Sequence, residues 1–137
     1  MINKKIRFST YPSSVRWGIL LLCAGWVLHY AFYFKFLAGD EPTRNIYIQV
    51  GLGVAICFFV AAINRWARAM CLFFNAGIII LYVLLSAAYF QSGKQDLLVF
   101  TLAVAALFGG ATYFLLRREC VEFFRRYNPS GEGPQAP

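Results

Sequence analysis

The chain has 137 residues, 60% of them hydrophobic, 18% aromatic and only 14% charged, a balance that excludes an ordinary soluble domain. Its formal charge of +7 does not point to nucleic acid, because the lysines and arginines flank apolar runs instead of collecting on one exposed face. Cys23, Cys57, Cys71 and Cys120 are widely spaced and form no C-x-x-C pair, which argues against a disulfide framework, a thioredoxin-like centre and a zinc site, so no metal and no cofactor is expected.

In chain order, Met1 to Arg16 mixes Lys4, Lys5, Arg7 and Arg16 with Ile2, Ile6, Phe8 and Tyr11, a composition suited to an anionic membrane face. Pro12, Ser13 and Ser14 supply a break and an N-cap for the first helix, expected over 15–36. Its uncharged run, Trp17 to Phe34, is too long for a signal-peptide core and reaches across a hydrocarbon layer of about 30 Å. Gly39, Asp40, Glu41 and Pro42 then read as a short outer loop. The second helix is expected over 45–64, with Gly51 and Ala55 as a close-packing edge.

Asn64-Arg65-Trp66-Ala67-Arg68 reads as a turn that orients everything else, since two arginines between apolar stretches stay on the side where positive charge is tolerated. The third helix, expected over 69–91, is rich in branched and aromatic residues and reads as the centre of the bundle; Asn75 within it needs a polar partner and reads as a helix-gluing amide. Ser92, Gly93 and Lys94 make a second outer turn before the fourth helix, expected over 97–116, where Ala106 and Gly110 offer another small-residue edge. In 117–127, Cys120, Phe123, Phe124 and Tyr127 recur at helical spacing among charged residues, which fits either an interfacial helix or a fraying stop-transfer sequence. The tail 128–137, with three prolines and two glycines, reads as disordered.

The fold class expected is therefore all-α: one domain, 1–127, an antiparallel bundle of four transmembrane helices whose short loops make sequential helices neighbours. Lys4, Lys5, Arg7, Arg16, Arg65, Arg68, Arg117, Arg118, Arg125 and Arg126 fall on one side, against Lys35, Arg44 and Lys94 on the other. That bias puts both termini in the cytoplasm of a cell with the chain in its cytoplasmic membrane, and makes anionic headgroups its lipid partners.

The interior runs hold no Asp, Glu, Lys or Arg, and their one readily ionising group is His29. No catalytic residue is expected, and the protein reads as no enzyme. Counting inward at 1.5 Å per residue, His29, Gln49, Ser86 and Thr101 all fall roughly 6 to 8 Å below the outer boundary, one from each helix. They fit a hydrogen-bonded layer or shallow outward pocket, with His29 bonded to Gln49. They fit better the wet interface, where polar residues are cheap and Tyr30, Tyr33, Tyr47 and Tyr89 form an aromatic belt.

Tyr11-Pro12-Ser13-Ser14-Val15-Arg16 and Asn64-Arg65-Trp66-Ala67-Arg68 resemble, over most of the chain, a broad group of small bacterial four-helix membrane proteins of unknown function, with a Pro-x-Ser-Val lead-in and an Asn-Trp-Ala-Arg turn. Here Arg65 is inserted before Trp66. The resemblance implies a bacterial inner-membrane location and no activity. The expected role is a non-enzymatic accessory or interaction protein, with a membrane-protein partner or a second copy of itself. A small oligomeric transporter or channel, and a lipid-binding, quinone-binding or redox protein, remain as alternatives.

Overall fold

The computed structural model describes residues 8–37, 44–62 and 65–127, and every regular element among them is helical. A 3-10 turn, Phe8–Thr10, leads into α1 (Ser13–Phe32), which a π-helical turn, Tyr33–Leu37, extends. Then come α2 (Arg44–Ala61), α3 (Arg65–Gln91), α4 (Gln95–Leu116) and α5 (Arg118–Tyr127). The anchors Lys4, Lys5 and Arg7, the outer loop at 38–43, Asn64 and the tail 128–137 lie outside the described residues.

Three helical stretches are long and apolar enough to cross a membrane: Ser13–Phe36, Trp66–Gln91 and Gln95–Leu116. At 22 residues or more each exceeds the thickness of a hydrocarbon core. α2 contributes the shorter apolar stretch Tyr47–Ala61.

The helix ends differ from expectation in ways the backbone explains. Pro12 takes the N-cap position of α1 and no side chain caps it; the Ser14 hydroxyl instead donates to Glu119 Oε2 at 3.1 Å. The expected basic turn is the first turn of α3, because nothing in Arg65 to Arg68 breaks a helix. The turn after α3 is a Schellman closure: Gly93 adopts φ 69°, its N–H bonds to the Phe90 carbonyl, and the Lys94 N–H bonds to the Tyr89 carbonyl.

The centre of the bundle is α4, not α3. Val104, Phe108, Ala111 and Leu115 form one fully buried stripe along it, facing Val15, Ile19, Leu22 and Trp26 of α1. Small residues permit that approach: a Cβ added at Gly18 would sit 3.2 Å from Leu115 and one at Gly25 3.2 Å from Phe108. On its other side α4 receives the buried stripe Cys71, Asn75, Tyr82 and Ser86 of α3. α3 is rich in branched and aromatic residues because much of it faces outward, with Phe73, Ile80, Val83 and Leu84 exposed. α2 packs loosely at the edge, so sequence neighbours α1 and α2 make a thinner seam than α1 and α4.

At the other end Arg117, with ψ 141°, breaks the helix and turns α5 across the base of the bundle. α5 is a separate amphipathic helix rather than a frayed end: Cys120 and Phe124 are fully buried, and Phe123 packs on Tyr11 with ring centres 5.3 Å apart.

Candidate functional site

The polar side chains buried in the apolar helices form three levels. Near the Gly93 end of the bundle, Ser86 Oγ lies 2.8 Å from Thr101 Oγ1, joining α3 to α4. Each hydroxyl has one proton, so two arrangements alternate. Ser86 donates to Thr101, which donates back to the Leu98 carbonyl at 2.9 Å, or Ser86 donates to the Tyr82 carbonyl at 2.7 Å and Thr101 donates to Ser86.

One turn deeper, His29 Nδ1 and the Tyr82 hydroxyl share a hydrogen bond of 2.8 Å between α1 and α3. Aromatic rings fix both partners: Trp26 meets His29 edge-on at 5.5 Å and Phe32 meets Tyr82 at 5.7 Å. The expected bond from His29 to Gln49 is not made. Gln49 has an exposed side chain, and only its backbone carbonyl takes part, accepting from Tyr30 Oη at 2.5 Å. The depth count placed these groups at one height, but azimuth decides pairing, and the face of α1 bearing His29 looks at α3.

The third level lies toward α5. Asn75, fully buried, donates to Thr112 Oγ1 at 3.1 Å and so ties α3 to α4. Cys71, one turn before it, donates to the side-chain oxygen Asn75 Oδ1 at 3.8 Å. Below, the half-buried Arg68 donates to the Leu115 carbonyl at 3.2 Å, satisfying an orphan acceptor where α4 ends. Its charge also draws the Cys120 thiol down, but burial outweighs it and holds that thiol at about 11. Tyr11 donates to the Ala61 carbonyl at 2.9 Å and closes the same floor beneath α2.

Tyr82, Thr112, Glu119 and Tyr11 are the members that sequence reasoning missed. Tyr82 carried a usable signal, since it lies too deep for an interfacial belt and a phenol there requires a partner. The small-residue edges also shift. A Cβ at Gly51 meets nothing and Ala106 is exposed, whereas one at Gly53 would strike Tyr30 Oη and stand 2.8 Å from Trp26; Gly110 does approach Leu21, at 3.2 Å. Ala55 instead lines an apolar groove of about 100 Å³ between α2 and α3, with Ile56, Phe59, Met70 and Phe74. Among the described residues Arg16, Arg117, Arg118, Arg125 and Arg126 are exposed, and Arg118 pairs with Glu122 at 2.8 Å. Among the described residues two buried donors have no partner, Trp26 Nε1 and Arg68 Nε.

Among the described residues no group of three or more His, Cys, Asp or Glu side chains is arranged to hold a metal. No family model, curated protein or solved structure matches the chain.

Proposed function

We propose that the protein is a non-enzymatic accessory or interaction subunit of the cytoplasmic membrane, crossing it four times with both termini on the cytoplasmic side. One observation carries this reading: the buried hydroxyl, amide and imidazole groups of α1, α3 and α4 are bonded to one another across helices. Groups so engaged hold a bundle together and leave little polar chemistry for a substrate. The surface fits the role, since α2 and α3 expose Ile48, Val54, Phe58, Phe73 and Leu84 beside an apolar groove, a face for another membrane helix or for lipid. The basic bias of Arg16, Arg65, Arg68, Arg117, Arg118, Arg125 and Arg126 supports the orientation and the preference for anionic lipid.

Purification in mild detergent, with everything that co-migrates identified, tests the role. A stoichiometric membrane subunit is expected; a pure homo-oligomer would replace this reading with that of an oligomeric transporter. A reporter fused at Gly93 should be active only on the outer side, and equal stability in zwitterionic and anionic bilayers would remove the lipid preference.

A further inference from the structure

Contacts between α1 and α2 follow one antiparallel register. Tyr30 donates to the Gln49 carbonyl, and Trp26 lies against Gly53. Cys23 is one turn before Trp26 on the same face of α1, and Cys57 one turn after Gly53 on the same face of α2, so the next rung brings the two thiols together. Each thiol lies close enough to perturb the other. Ile19 and Val60, where the rung after that falls, are both buried. Neither cysteine is sealed in: both are half-buried, free thiols at a seam much thinner than that between α1 and α4.

We propose that Cys23 and Cys57 are an oxidation site that closes to a disulfide with an organic hydroperoxide dissolved in the membrane, clasping α2 to α1. Hydrocarbon around the seam admits such an oxidant and excludes ionic ones such as glutathione disulfide. One of the two sulfurs attacks the terminal peroxide oxygen: R–SH + R′OOH gives R–SOH + R′OH, the O–O bond breaking as the S–O bond forms. The neighbouring thiol then displaces hydroxide from that sulfur, and R–SOH + R–SH gives R–S–S–R + H₂O. Sulfur loses two electrons, the peroxide gains them, and both thiol protons end in alcohol and water. Cys71, which adjoins the pair on α3, is fully buried and engaged with Asn75, and Cys120 is fully buried on the inner face of α5. The clasp uses neither.

The test treats the reduced full-length protein in phosphatidylcholine vesicles with cumene hydroperoxide, traps remaining thiols with N-ethylmaleimide and maps the peptides. The expected result is one intramolecular Cys23–Cys57 link, reversed by a membrane-permeant phosphine, with Cys71 and Cys120 still alkylated after denaturation. Cys23→Ser and Cys57→Ser should each abolish the link, while Cys71→Ala should retain it. The wild-type map decides without the variants: no link, a link to Cys71, or a link only between two molecules would each overturn the proposal.

Discussion

Tyr82 shows what a single side chain does here. Its hydroxyl lies in an apolar stretch where water cannot satisfy it, and His29 is the partner that makes its burial tolerable. A double-mutant cycle of His29→Ala with Tyr82→Phe should give a coupling of roughly 0.6 kcal/mol and at most about 2, measured by unfolding in detergent. Additive losses would mean that the two groups are merely adjacent. The sequence exposed His29 because it is the only histidine, and Ser86 with Thr101 because hydroxyls at equal depth are visible in a depth count. Their partners were harder to read. Helical rise gives height without rotation, so His29 could be assigned a level but not the neighbour it faces.

The element that behaves least as its sequence suggests is α2. A small-xxx-small spacing marks every residue that would allow close approach, yet only the face turned to a neighbour uses it, and in α2 that face carries Gly53 rather than Gly51. A methyl group at Gly53 would collide with Tyr30 Oη, the group bonded to the Gln49 carbonyl, and press on Trp26. Gly53→Ala should therefore loosen α2 from α1, seen as faster cleavage or labelling along α2. Gly51→Ala, entering open space, should be neutral or stabilise by up to about 1 kcal/mol through helix propensity. If the two substitutions behave alike, the seam does not run as described. α5 was legible as amphipathic from its spacing alone, but its docking was not, since Tyr11 and Ser14 that hold it come from the opposite end of the chain.

For the whole molecule, the all-helical class and the apolar helices were legible because hydrocarbon leaves backbone groups few other ways to be satisfied. The order of packing was not. Short loops suggest helices added pairwise along the chain, whereas α1, α3 and α4 make the core and α2 stands beside it. That arrangement sets a timetable for assembly. Asn75 leaves the ribosome 37 residues ahead of Thr112, which at about 5–20 residues per second is roughly 2–7 s. For that interval its amide is in or near the membrane without the hydroxyl that satisfies it in the finished protein, and α1 lacks the helix it packs on. A chain stopped before Gln95 should thus be degraded quickly in cells, and Asn75→Leu should prolong its lifetime while lowering the stability of the full-length protein. If Asn75→Leu shortens both lifetimes, the amide finds an earlier partner during synthesis, and the last helix to be made is not the one that releases the nascent chain from quality control.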